Sequence, residues 1–313
     1  MLYYGANLLV KGSSSLAQSL NLAPLVIGLT VVAFGTSAPE LVISVVSSIK
    51  DKSMIAVGNV IGSNICNIAL VLGVSALLQP IKGHRSVVRR DIPIMLGISL
   101  YLLLISFNSK IGRLEGATLF GGIIVYTLFN YYMAIKESRR EFSDGSVAFE
   151  SAVNEIEYVT SRTRQIVLIV VGITGVIIGA EILIDAALII MKKFGVSEKF
   201  IGLTIVALGT SLPELATSVV AALRKEMDIS IGNLVGSNVF NIMSVLGAAS
   251  LIRPIPIPGG FIASGLLIDY LVMMFISFLP WLMMRKTCTV TRKDGLVLLS
   301  CYVGYIVYLI LKA

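Results

Sequence analysis

The chain has 313 residues, of which 56% are hydrophobic and 14% are charged, and its mean hydropathy is +0.91. Soluble globular domains carry about 25% charged residues, so this composition excludes an ordinary soluble protein and predicts an integral membrane protein that contacts the lipid bilayer. The formal net charge of +7 does not indicate nucleic-acid binding, because the basic residues form short clusters between apolar segments, as topology signals do.

Ten apolar segments are predicted to form transmembrane helices, so the predicted fold class is an all-α integral membrane protein. Helix-breaking residues separate several of them, including Pro80, Gly83, Pro254 and Pro258. In chain order, the approximate limits are 1–20, 24–49, 55–79, 90–108, 114–136, 165–191, 198–223, 229–252, 260–284 and 294–312.

One long polar connection divides the chain near its middle. We therefore expect a first half of five helices over 1–136, a cytoplasmic linker over 137–164, short and either amphipathic or disordered, and a second half of five helices over 165–313. Loops on the side of the linker carry fifteen Lys and Arg residues, and the opposite loops carry nine. The positive-inside rule then predicts a multi-pass protein of the cell membrane with a cytoplasmic linker and both termini outside.

The two halves match, without a gap, when 174 is added to a residue number in the first half. Ile27–Thr30 corresponds to Ile201–Thr204, and Gly62–Asn64 corresponds to Gly236–Asn238. Each half has five predicted helices, an odd number, so the second half enters the membrane from the opposite side. The sequence thus predicts two inverted five-helix repeats, as in secondary transporters whose substrate site lies at the midplane between the repeats.

The same offset places the counterpart of the start of the sixth helix upstream of Met1. We therefore expect the native chain to begin upstream of this residue. Lys11 would then lie near the end of its helix, where a lysine side chain reaches the membrane interface. A functional role for Lys11 is the alternative.

The motif G-T-S-x-P-E occurs once in each half, at 35–40 and at 209–214. It places Glu40 and Glu214 in apolar segments with no Lys or Arg within about two helical turns. An unpaired carboxylate in hydrocarbon is costly and indicates a functional site. Thr36 and Ser37 precede Glu40 by four and three residues, so on a helix they would share its face.

Further oxygen ligands are predicted on the next helix of each half. Ser63 and Asn67 are four residues apart, as are Ser237 and Asn241, so each pair shares a helical face. The proline of each G-T-S-x-P-E motif removes a backbone donor and would free main-chain carbonyls, which can bind cations in broken membrane helices. Four glycines would let this helix approach its neighbours closely: Gly58, Gly62, Gly232 and Gly236.

This set of ligands contains only oxygen, which suits hard cations such as Ca²⁺, whereas softer metals would require Cys or His. His84 lies in a predicted loop and is interpreted as a solvated residue. Cys66 is interpreted as a packing residue, because Phe240 occupies the matched position. The sequence has no nucleotide-binding motif and no recognisable nucleophile–base pair beside either Glu, so we predict neither a cofactor nor enzymatic activity.

The paired motifs, each followed by G-N-x-x-G-S-N-x-x-N, resemble the two alpha-repeats of the cation/calcium antiporter superfamily, specifically its sodium/calcium exchangers. The resemblance extends over nearly the whole chain. It implies a ten-helix fold with ion sites between the second, third, seventh and eighth helices. It implies that Ca²⁺ is bound by Glu40, Glu214 and the main-chain carbonyls of Thr36 and Thr210, and Na⁺ by Ser37, Ser63, Ser211, Ser237 and the carbonyls of Ala33 and Ala207.

We expect an antiporter that exchanges Na⁺ for Ca²⁺ by alternating access, with a monomer sufficing because one chain supplies both halves of the site. Some members of the superfamily, including potassium-dependent exchangers, carry Asp at the position of Asn241. Here both halves carry Asn, at Asn67 and Asn241, so we predict potassium independence. The alternatives are a Ca²⁺/H⁺ exchanger, a cation channel and a membrane calcium sensor.

Overall fold

The computed structural model describes residues 1–143, 158–193, 207–260 and 264–312. Helices make up most of the described chain. They are α1 (Leu2–Ser19), α2 (Pro24–Thr36), α3 (Ala38–Ile49), α4 (Ser53–Leu78), α5 (Ile92–Ile105), α6 (Arg113–Ser143), α7 (Arg162–Lys193), α8 (Ala207–Thr210), α9 (Leu212–Leu223), α10 (Met227–Ile252), α11 (Leu266–Thr287) and α12 (Arg292–Lys312).

Four two-residue strands lie at helix ends: β1 (Ile81–Lys82), β2 (Lys110–Ile111), β3 (Ile255–Pro256) and β4 (Thr289–Val290). Strand β1 pairs antiparallel with β4, and β2 pairs antiparallel with β3. Each pair therefore joins the first half of the chain to the second. The strands were not predicted, because two residues carry no measurable periodicity.

Six of the described helices are long and apolar enough to cross a membrane, namely α4, α6, α7, α10, α11 and α12. Helices α2 and α3 form a seventh candidate, a single span bent by 46°. By length and composition alone, the described residues therefore fall short of the predicted ten. Helix α1 carries Lys11 and three consecutive serines. Helix α5 has 14 residues and directly follows a π-helical segment, Val87–Asp91, that contains three charged residues. The predicted span 198–223 begins outside the described residues.

The arrangement of the helices fits a lipid environment. Helices α4 and α10 are buried along most of their length, whereas α6, α7 and α12 have one buried face and one exposed face. The exposed faces are apolar, as Val125, Leu128, Ile166 and Val303 illustrate. An apolar exterior of this extent is stable in contact with acyl chains rather than with water.

The predicted internal repeat is also present in the local structure. Helices α3 and α9 each have 12 residues and begin 174 positions apart, as do strands β1 and β3. The residue two places beyond the end of each of these helices has a positive φ angle, 59° at Asp51 and 62° at Lys225. Matched sequences thus adopt matched backbone conformations.

Contacts between loops agree with the two sides predicted from the basic residues. His84 is exposed, as expected of a loop residue, but its Nε2 lies 3.0 Å from Asp228, which links the loop after α4 to the start of α10. On the other side, Arg253 pairs with Asp51 and donates a hydrogen bond to the Ile49 carbonyl. These contacts group the loops into the two predicted sets.

The expected linker is partly helical. Helix α6 continues to Ser143 and α7 begins at Arg162, so both helices extend into the segment 137–164. The prediction that the linker is amphipathic or disordered concerns the remaining residues, 144–157, which lie outside the described residues.

The predicted close approach of glycines is confirmed on α10 but is wrong on α4, where a Cβ atom on Gly58 or on Gly62 would meet no atom within 4 Å. A Cβ atom on Gly232 would lie 2.7 Å from the Leu25 carbonyl oxygen, and one on Gly236 would lie 2.6 Å from the Leu29 carbonyl oxygen. Helix α2 therefore packs directly against the backbone of α10, which brings the first G-T-S-x-P-E motif next to the second half.

We predict that Gly236→Ala destabilises the protein, because the new methyl group would overlap backbone atoms of α2 that cannot rotate away. Overpacking of this kind costs about 1–3 kcal/mol. Gly304→Ala on α12 is the control, since its Cβ would meet no atom within 4 Å and alanine is the better helix former. Thermal unfolding in detergent should show a lower midpoint for Gly236→Ala only. Equal midpoints for the two variants would contradict the close packing.

Candidate ion-binding site

The helix carrying each G-T-S-x-P-E motif is broken at its serine. Ser37, between α2 and α3, has φ −82° and ψ 9°, and Ser211, between α8 and α9, has φ −88° and ψ 5°. The following prolines have no N–H, so the carbonyls of Gly35 and Gly209 lose the donor that a continuous helix would supply. The helix is thus interrupted beside each glutamate, as predicted, and cation binding by the main-chain carbonyls there stays a prediction.

Glu40 and Glu214 lie in the first turns of α3 and α9, respectively, and both are completely buried. The amino end of a helix carries a partial positive charge, which favours a carboxylate there. Within the described part of the chain, neither carboxylate forms an ion pair with a basic residue. Among the described residues, dipoles and hydroxyl groups are therefore the partners of these two buried carboxyl groups.

The hydroxyl groups around the glutamates come from both halves. The Ser37 hydroxyl donates to Glu214 Oε1 at 3.0 Å, and the Ser63 hydroxyl donates to Glu40 Oε1 at 3.4 Å. The Ser63 and Thr210 hydroxyls also lie 3.4 Å apart. The predicted ligands of the two halves thus form one cluster.

One expectation about this cluster was wrong. On a continuous helix, Ser37 would share the face of Glu40, but the break at Ser37 turns its hydroxyl toward Glu214 of the other half. Thr36 likewise donates to Asn233 Oδ1 at 3.1 Å rather than to Glu40. Helical spacing does not hold across a break, because the residues on either side no longer share one axis.

A ring of four buried asparagines links α4 to α10. Asn67 Nδ2 donates to Asn238 Oδ1, and Asn241 Nδ2 donates to Asn64 Oδ1, both at 3.1 Å. Asn64 and Asn238 donate in turn to each other's main-chain carbonyls, at 3.2 and 3.4 Å. These bonds hold the amide nitrogens of Asn67 and Asn241, so their carbonyl oxygens remain as acceptors.

Several buried oxygens near the glutamates have no hydrogen-bond partner among the described residues. The side chains that carry them are of three kinds: carboxylate, amide and hydroxyl. They are Glu40 Oε2, Glu214 Oε2, Asn67 Oδ1, Asn241 Oδ1, Ser211 Oγ and Ser237 Oγ. Buried polar atoms in native proteins rarely lack partners, and oxygens of these kinds are the ligands of hard cations.

The structure describes the surroundings of one predicted main-chain ligand of Na⁺, Ala33, more fully than those of the other, Ala207. The Ala33 carbonyl already accepts a hydrogen bond from the Ser37 amide at 3.0 Å, and the Thr36 hydroxyl oxygen lies 3.4 Å from it. Ala207 is the first residue of α8, directly after 194–206, which lie outside the described residues. Thr210, the last residue of α8, is buried.

Sequence reasoning missed a layer of polar residues behind the site. Asn59 Nδ2 donates to Ser44 Oγ, and the matched Asn233 Nδ2 donates to Ser218 Oγ, both at 3.0 Å. Asn64 and Asn238 were also not proposed as site residues. The signal that could have identified them was present, since each is an asparagine matched in both halves within an apolar segment.

The family model for the sodium/calcium exchanger protein matches residues 1–132 and 164–311, which include both motifs and both halves of the site. This chain belongs to the sodium/calcium exchanger family. The exchanger is therefore a helical membrane protein of an ion-transporting family, as the resemblance in its sequence implies.

Relatives of similar length support this assignment. The exchanger is 36% identical over 308 residues to the putative antiporter CaxA of Alkalimonas amylolytica, covering 97% of this chain and 94% of the relative. It is 32% identical over 335 residues to the sodium/calcium exchanger MaX1 of Methanosarcina acetivorans, with the same two coverages. A solved structure of the sodium-calcium exchanger NCX_Mj, soaked with Na⁺ and Sr²⁺, matches with a TM-score of 0.80 and 31% identity, over 98% of this chain and 94% of that one.

We predict that Asn238→Ala weakens ion binding, because Asn67 would lose the acceptor that holds its amide. A hydrogen bond contributes about 0.5–1.5 kcal/mol, so the calcium concentration for half-maximal transport should rise roughly two- to tenfold. Asn130→Ala is the matched control, since Asn130 is equally buried but bonds to the Tyr126 carbonyl within α6. An equal rise in both variants would show that Asn238 acts only through stability.

Proposed function

We propose that this exchanger carries Na⁺ and Ca²⁺ in opposite directions by alternating access, and that both ions bind in turn at the cluster around Glu40 and Glu214. The observation that supports this most directly is the pair of completely buried carboxylates. Each has an oxygen with no hydrogen-bond partner among the described residues.

The charge of the cluster accounts for obligatory exchange. Without a cation, two ionised carboxylates would face a low-dielectric interior, and removing such charges from water costs several kcal/mol per ion. One Ca²⁺ or several Na⁺ would neutralise them. Because both ions occupy overlapping positions around the same two carboxylates, binding is competitive, and only the neutralised protein passes from one side to the other at low cost.

The proposed ligands divide by type. Glu40, Glu214 and the main-chain carbonyls of Thr36 and Thr210 would bind Ca²⁺. Na⁺ would use hydroxyl, amide and main-chain oxygens from both halves. These are Ser37, Ser63, Ser211, Ser237, Asn67, Asn241, Ala33 and Ala207.

The architecture we propose is two inverted halves, 1–136 and 165–313, with five membrane-spanning helices each. It is supported by the constant offset of matched elements, and by strand pairs that each join one half to the other. Helices α1 and α7 would slide as a gate. They pack backbone to backbone, since a Cβ on Gly172 would lie 2.5 Å from the Leu9 amide nitrogen and one on Gly5 would lie 2.7 Å from that of Val176.

The transport test uses purified protein in liposomes loaded with Na⁺. We expect Na⁺-driven Ca²⁺ uptake by the wild type and its loss in Glu40→Gln and in Glu214→Gln, because a neutral amide cannot supply the charge that Ca²⁺ requires. Glu115→Gln at the start of α6 is the control, since its Oε2 accepts a bond from the Gly112 amide and glutamine can still accept it. Wild-type uptake by either site variant would refute the assignment of the site.

The coupling ion is tested in the same liposomes by changing one gradient at a time. We expect uptake to need Na⁺ and to be unaffected by replacing K⁺ with choline on both sides, because Asn67 and Asn241 add no third carboxylate. Protons could also neutralise Glu40 and Glu214, so a pH gradient is imposed without Na⁺. Uptake driven by that gradient would favour the Ca²⁺/H⁺ exchanger, and Ca²⁺ flux at channel rates with no counter-ion would favour a channel.

The proposed orientation places the linker in the cytoplasm and both termini outside. Cysteines introduced at Lys82 and at Lys110, two exposed lysines on opposite sides, distinguish the two orientations. In intact cells, a membrane-impermeant maleimide should label the Lys110→Cys variant only. Labelling of the Lys82→Cys variant instead would show that the protein has the opposite orientation. That result would not affect the proposed ion site.

A further inference from the structure

A second polar site lies far along the chain from the glutamates, at the ends of α5 and α11. It is an open cavity of about 660 Å³. Its walls include four exposed basic residues, Arg85, Arg89, Arg285 and Lys286. The first two precede α5, and the last two lie in the final turn of α11.

The fold brings these two pairs of cations together. Strand β1 lies just before Arg85 and β4 lies just after Lys286, and the two strands pair antiparallel. None of the four cations forms an ion pair or a side-chain hydrogen bond with a described residue. The neighbouring Arg90 differs, because its Nε donates to the buried Asp91 at 2.8 Å.

Four cations around one cavity, none of them paired with a described residue, suit an anion with several oxygens, and arginine binds phosphate through paired N–H groups. The cavity also has an apolar wall, formed in part by Trp281 and Pro93. Tryptophan is typical of the depth at which membrane spans meet lipid headgroups. A small water-soluble anion has no apolar part that could contact this wall.

An apolar track leads from the membrane core to the cavity. Leu271, Phe275, Phe278 and Leu282 of α11 are all more than two-fifths exposed, and their spacing places them on one face of the helix. Arg285 follows Leu282 by three residues and so continues the same face. If the acyl chains of a lipid contacted these apolar residues of α11, the lipid headgroup would lie beside the four cations.

We propose that this cavity binds the phosphate group of an anionic phospholipid, with the acyl chains along the exposed face of α11. Basic pockets between membrane helices bind lipid headgroups by the same chemistry. The site is independent of the proposed ion coupling, because it shares no residue with the cluster around Glu40 and Glu214.

The chain offers a local reporter, because Trp281 is its only tryptophan. The full-length protein is reconstituted in phosphatidylcholine bilayers that contain phosphatidylglycerol brominated near the glycerol end of its acyl chains. Quenching of Trp281 then measures how strongly the anionic lipid is enriched beside this residue, relative to brominated phosphatidylcholine. We expect enrichment on the order of fivefold for each cation that contacts the phosphate.

Arg89→Gln/Arg285→Gln should lower this enrichment by about fivefold or more. The matched control is Lys82→Gln/Lys293→Gln, which removes the same charge from exposed positions on the same side but outside the cavity. The control should keep the enrichment of the wild type. Equal losses in both variants would overturn the proposal and leave only a general attraction of the basic surface. No enrichment in the wild type would also overturn it.

Inorganic phosphate, titrated into the same samples, separates a lipid headgroup from a soluble anion. We expect millimolar phosphate to leave the quenching by brominated phosphatidylglycerol unchanged. Reversal of that quenching at constant ionic strength, maintained with chloride, would identify a soluble-anion site and overturn the assignment to lipid.

Discussion

The structure depends on the burial of two carboxylates that have no basic partner among the described residues. Glu40 and Glu214 are inaccessible to solvent. The groups that stabilise them in the structure are hydroxyl groups and the amino ends of helices. Such groups do not offset the loss of hydration of two ions in a low-dielectric interior. Bound cations or protons are the remaining means of neutralising both groups, which supports the proposal that the cluster binds the transported ions.

Three features of the structure around the carboxylates have separate effects on the site. The break at Ser37 ends one helix and starts another, so that Glu40 lies at the positive end of α3. The asparagine ring fixes the amides of Asn67 and Asn241, which lie in π-helical turns, a local distortion frequent at functional sites. The glycines of α10 then allow α2 to approach closely enough for hydroxyls to bond across the halves.

Much of this site could be predicted from the sequence, because the duplicated motif marks the glutamates and the matched serines and asparagines mark their surroundings. The direction of individual side chains could not. The hydroxyl of Ser37 bonds to the opposite half because the proline breaks the helix, and helical spacing ceases to apply there. The π-helical turns also escaped prediction, since they insert a local shift into a helix whose apolar pattern is otherwise continuous.

The two halves have equivalent sequences but unequal contacts. Ser37 donates to Glu214, whereas the matched Ser211 has no hydrogen-bond partner among the described residues and does not bond to Glu40. These two Ser–Glu pairs have the same residue types, whereas a matched position near them does not, with Cys66 in one half and Phe240 in the other. Exchanging the two arrangements would replace one hydrogen bond with an equivalent one, so the local contacts impose little cost on the exchange. Such an exchange fits the alternating access proposed above, in which the site opens to either side of the membrane in turn.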